Sequence, residues 1–95
     1  MNTIEAIRLN DDDGNIMILY YETPHHPIPF AILGSVDNGF QGEVHGRGTN
    51  TFGTLLMPDH SLSEAQREFE IMLRDFGYNV PLEIEHGTND DDTQT

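Results

Sequence analysis

The residues in this chain that could do chemistry are five histidines, a run of aspartates and a single Glu-x-His pair. Glu43 and His45 stand two positions apart, so on a β-strand both side chains leave the same face and offer one oxygen and one nitrogen to a metal ion. The sequence places no third ligand beside them. His25 and His26 are adjacent in an extended, proline-flanked segment and face opposite ways, and His60 and His86 stand alone. A second metal pattern begins at Asp11: Asp11, Asp13, Asn15 and Glu22 fall at the first, third, fifth and twelfth positions of a calcium-loop template. The template breaks at its sixth position, where Ile16 stands in place of glycine, and the residues that follow carry a strand pattern instead of an exiting helix. The segment therefore reads as an acidic hairpin turn, and no metal or other cofactor is expected.

Covalent chemistry is narrowed further by what is missing. The chain has no cysteine and no lysine, which removes thiolate zinc sites, cysteine nucleophiles, Schiff-base chemistry and the lysine of a phosphate-binding loop. Its only serines are Ser35, Ser61 and Ser63. The last two fall where a helix starts, and Gly34-Ser35-Val36 lacks the second glycine of a nucleophile elbow. The glycine-rich stretch from Gly39 to Gly53 matches neither the dinucleotide fingerprint nor the Walker pattern, and its one cation is Arg47. A non-enzymatic protein is the expectation.

Seventeen Asp and Glu residues stand against four Arg, for a formal net charge of −13. That balance opposes direct nucleic-acid binding, whose affinity grows with each cation that displaces a phosphate counterion. It favours a basic partner, and a surface that attracts DNA or RNA also attracts well-placed carboxylates. The expected function is thus a small acidic binder that inhibits a basic nucleic-acid-handling protein by nucleic-acid mimicry. Immunity proteins for nuclease toxins and phage-encoded inhibitors of defence nucleases, such as anti-CRISPR and anti-restriction proteins, work in this way. The likeness to them is one of size and charge alone.

The elements that must position these side chains follow from the apolar periodicity. Thr3 to Leu9 alternates and reads as a strand; Asn10 to Asn15 supplies turn chemistry; Ile16 to Glu22 is the clearest strand, apolar on both faces and so expected to be covered on both. Prolines at 24, 27 and 29 exclude a ladder there, making 23–29 a connector. Phe30 to Val36 and Phe40 to Arg47 form a hairpin around Asp37-Asn38-Gly39, and Thr51 to Met57 follows as another strand. The helix is marked by the capping box Ser61-Leu62-Ser63-Glu64 and by apolar residues at Leu62, Ala65, Phe69, Met72, Leu73 and Phe76, with Gly77 as C-terminal stop. Asn79 to Glu85 reads as a last strand.

The fold class predicted is α+β: an antiparallel sheet of about five to six strands with one amphipathic helix, about 62–76, packed on a face. One globular domain over 1–86 and an acidic, disordered tail over 87–95 are expected. The N-terminus lacks a signal-peptide pattern and no apolar run spans a bilayer, so a soluble, cytoplasmic protein is expected. Two acidic clusters are the candidate partner-binding residues: Asp11, Asp12 and Asp13 at a hairpin tip, and Glu64, Glu68 and Asp75 on the helix, whose Arg67 and Arg74 stand at helical spacing from Glu70. Two rival readings are a metal- or ligand-binding protein or small enzyme built on Glu43 and His45, and an acidic domain adapted to high salt.

Overall fold

Five strands in simple sequence order, each antiparallel to the next, form one sheet, and a single helix lies across one of its faces. The computed structural model describes residues 3–23, 28–45 and 53–81. The strands are β1 (Thr3–Asn10), β2 (Ile16–Thr23), β3 (Ala31–Val36), β4 (Gly39–Val44) and β5 (Gly53–Pro58), and the helix is α1 (Leu62–Asp75). The α+β architecture expected from the periodicity is the one found.

Each register sorts side chains by face. Ala6 opposes Tyr20, which opposes Ala31, and Ile18 opposes Leu33, which opposes Gly42. These positions look toward α1 and hold the core: Ile18, Tyr20, Ala31, Leu33, Val44 and Met57 are all essentially inaccessible. Residues one step along point the other way, as the pleat requires. On β2 the two faces are both apolar, yet only the Ile18 and Tyr20 face is covered; Met17 on the opposite face is 42 % exposed. The expectation that β2 is sheathed on both sides is thus corrected. Among the described residues the one helix is already committed to the first face.

Both ends of α1 are built from local sequence. The Ser61 hydroxyl accepts from the Glu64 amide at 3.2 Å, and the Glu64 carboxylate accepts from the Ser61 amide at 2.9 Å, completing the box. At the far end Phe76 caps, and Gly77 takes φ +97°, a left-handed conformation open to glycine at little cost. The Tyr78 amide then reaches the Leu73 carbonyl and the Gly77 amide the Arg74 carbonyl, each at 3.0 Å, so the last turn leaves fewer orphan acceptors. Ala65, Phe69 and Leu73 drive into the core. Their approach depends on Gly42, because a Cβ there would collide with the Phe69 ring. That glycine sits in a regular strand, so its role is close packing of the helix on the sheet.

Beyond the helix the chain turns back along its own last turns. Val80 is buried, its carbonyl accepts from Arg74 Nε at 2.8 Å, and Tyr78 stacks on Phe30 with ring centroids 4.1 Å apart. Residues 79–81 are not in a strand, which corrects the first part of the expected strand over Asn79 to Glu85; Leu82 to Glu85 and the tail over 87–95 lie outside the described residues. So do the histidines at 25, 26 and 86 and Arg47. Among the described residues no helix is long and apolar enough to cross a membrane.

Candidate functional site

A meander brings alternate turns to the same end of the sheet. The β1–β2 turn and the β3–β4 turn therefore share an end, and β5 finishes there too, with the Asp59 amide donating to the Asn38 carbonyl at 2.6 Å. The N-terminus of α1 follows after the three residues Asp59, His60 and Ser61. This end gathers Asp11, Asp12, Asp13, Asp37, Asp59 and Glu64, all exposed. Of the two predicted acidic clusters, the hairpin tip is thus brought to the same end of the molecule as Glu64, the first member of the helix cluster. Asp75, the last residue of α1, is carried to the other end and does not join them.

The acids at this end divide by what their oxygens already do. Asp11 is committed to its own loop: one oxygen accepts the amides of Asp13 at 2.8 Å and Asn15 at 2.9 Å, and the other accepts the Asn15 side chain at 2.9 Å. The Asn15 side chain and then the backbone donors hold the Asp11 carboxyl below its ordinary value. Glu64 is committed to the cap, and the Ser61 amide and hydroxyl hold its carboxyl down as well. One turn along, Glu68 faces His60, whose Nε2 lies 3.3 Å from its carboxylate while Nδ1 lies 2.9 Å from the Pro58 carbonyl. Asp12 and Asp13 point outward from the tip of the loop that Asp11 organises.

Asp37 and Asp59 were not singled out from the sequence. Both sit in turns, and the signal that could have found them is topological: consecutive hairpins place every second turn at one end. Asp59 also adopts φ +62°, a conformation that Asp and Asn tolerate better than other side chains. The helix face itself is mixed, because Arg67 and Ile71 share a shallow hollow with Glu64 and Glu68. Arg67 offsets part of that charge, so the turns are the more strongly negative part of the end.

The Glu43 and His45 pair does share a face, on the side of the sheet away from α1, with His45 Nε2 3.2 Å from Glu43 Oε1. Glu43 Oε2 accepts from Gln41 Nε2 at 3.1 Å. Both carboxylate oxygens are therefore engaged by side chains two residues away, one on β4 and one just past its end. No group of three or more His, Asp or Glu residues that could hold a metal occurs among the described residues. Among the tyrosines and Phe40, Tyr20 and Phe40 are core, Tyr78 is stacked on Phe30, and Tyr21 is half-buried on the outer face. No protein-family model, curated protein or solved structure matches the chain.

Proposed function

We propose that the protein is a non-enzymatic acidic binder that docks on a basic, nucleic-acid-handling protein and blocks its nucleic-acid site by charge mimicry. The observation that supports this reading is the collection of carboxylates from three separate turns at one end of a rigid sheet. Asp12, Asp13, Asp37 and Asp59 present exposed negative charge there from turns that the strand pairing holds at one end. Asp11 and Glu64 act behind them, holding the loop and the helix start in place. Preorganised charge of this kind raises association rates and specificity more than it raises affinity by itself.

The test is affinity capture from a lysate of the host cell at low and moderate salt, run in parallel with the wild-type chain and with Asp12→Lys combined with Asp13→Lys. A basic nuclease or nucleic-acid-binding protein recovered by the wild type and lost by the folded double variant is the expected result. Equal recovery by both removes the proposed surface. The rival metal reading rests on the contact between Glu43 and His45, and stoichiometric metal in the purified protein, abolished by His45→Ala, would favour it.

A further inference from the structure

The face of the sheet opposite α1 exposes aliphatic side chains in an ordered row. Register aligns Leu9, Met17, Gly34, Gln41 and Leu56 across all five strands. At a strand spacing of about 4.8 Å the row runs roughly 19 Å from edge to edge. Leu9 is 47 % exposed and Leu56 66 %, and Val36 beside the row is 49 % exposed. The neighbouring row begins with Ile7, Leu19 and Ile32, all half-buried, and turns polar at Glu43 and Thr54. Four exposed aliphatic side chains thus stand on one face of a small, highly charged protein, Leu9 and Met17 on β1 and β2 and Val36 and Leu56 on β3 and β5.

The row is hollow in the middle. Gly34 contributes no side chain, and a Cβ built there meets no atom within 4 Å, which leaves a trough between Met17 and Gln41. Toward the acidic end this trough opens into a hollow of about 420 Å³ walled by Leu9, Met17 and Gly34, with Asp11 on its lining. A second hollow of about 490 Å³, near β5, is walled by Val36, Leu56 and Pro58 and includes Asp37. Each apolar depression therefore ends at one of the two acidic turns.

We propose that this outer face is the docking surface for a cationic amphipathic segment of the partner protein, with its aliphatic or aromatic side chains in the trough and its Lys or Arg side chains against the turns of Asp11 to Asp13 and Asp37. The inference rests on the acidic-binder reading above and adds to it an apolar surface and the kind of segment that fits it. Charge selects the occupant. A second copy brings another net −13 and the same acidic rim, an anionic lipid surface or nucleic acid is repelled, and a segment with apolar and basic side chains satisfies both the trough and its rim.

The test uses the full chain and two labelled synthetic peptides of equal positive charge, each about 18 residues: a helical Leu–Lys peptide with one apolar face, and a Lys–Ser peptide with none. Fluorescence anisotropy at physiological ionic strength should show the Leu–Lys peptide binding about tenfold more tightly. Leu56→Asp and, separately, Leu9→Asp should each remove about tenfold of that affinity and leave the Lys–Ser peptide unweakened, although both substitutions add negative charge. Circular dichroism confirms the fold of each variant, and the two lie on opposite edge strands, so one reports if the other unfolds. Equal binding of the two peptides, or Leu–Lys affinity unchanged in both folded variants, overturns the docking face and leaves the acidic-binder reading standing. Failure of both peptides to bind overturns both readings. Sedimentation showing a dimer that Leu56→Asp dissociates overturns the proposal in favour of a second copy.

Discussion

Tyr20 on β2 and Glu70 on α1 meet inside the core, where the phenol donates to the carboxylate at 2.8 Å across fifty residues of sequence. Burial, and then the Glu70 charge beside it, push the Tyr20 hydroxyl well above the ordinary tyrosine value, so it stays protonated and donating at any pH the fold survives. The bond sits among rings, with Phe69 5.6 Å and Phe30 6.5 Å from Tyr20 in edge-on geometry. Tyr20→Phe keeps the ring packing and removes a donor from a buried carboxylate, which should destabilise the fold by about 2 kcal/mol. Glu70→Gln keeps an acceptor for the phenol and should cost less. Urea denaturation of the two variants checks the order, and an unchanged midpoint for Tyr20→Phe would show the bond to be energetically idle. The sequence pointed elsewhere for Glu70, toward Arg67 and Arg74. It lies one residue, about 100° of rotation, from Phe69, at the border of the apolar stripe, where periodicity does not decide between solvent and core. Only the placement of α1 over β2 decides it.

At the level of elements, the helix was legible because its information is local. The capping box and the stripe of Ala65, Phe69 and Leu73 are all contained within a few turns. Strand existence was also legible, from alternation and from the turn chemistry at Asp11 to Asn15 and Asp37 to Gly39. What alternation lacks is the number of layers: β2 is apolar on both faces whether or not a second cover exists. The stretch from 79 to 81 belonged to an expected strand over Asn79 to Glu85, but the close of α1 at Gly77 sets Tyr78 on Phe30 and buries Val80 outside any ladder. One junction carries its own pH dependence. His60 joins the end of β5 to α1, and the Pro58 carbonyl, followed by the carboxylates of Glu68 and Glu64, raises its pKa above the ordinary histidine value. A folded-state value above the unfolded one adds stability that is full below the unfolded pKa and fades as pH rises through the folded one. The thermal midpoint of His60→Gln should therefore trail the wild type most in mild acid, and the gap should narrow toward alkaline pH. A gap constant across that range would mean that protonated His60 contributes nothing at this junction.

For the whole molecule, the −13 charge acts over a body only 33 × 26 × 23 Å in extent. At very low ionic strength the screening length is about 30 Å, so carboxylates at opposite ends of the sheet still repel one another; near physiological salt it falls to about 8 Å and repulsion becomes local. Added salt should accordingly raise the thermal midpoint, most steeply at low concentration, with the gain levelling off once the screening length is shorter than the spacing between the acidic turns. Association with a cationic partner runs the other way, because the same ions screen the attraction. The acidic-binder reading thus requires two opposed salt responses from one set of carboxylates. Melting curves and anisotropy titrations across the same salt series measure both. A midpoint that keeps climbing into molar salt, beyond the range in which screening still changes much, together with peptide binding that salt does not weaken, would mean that the acids serve stability in brine and that the negative end was not built to attract a partner.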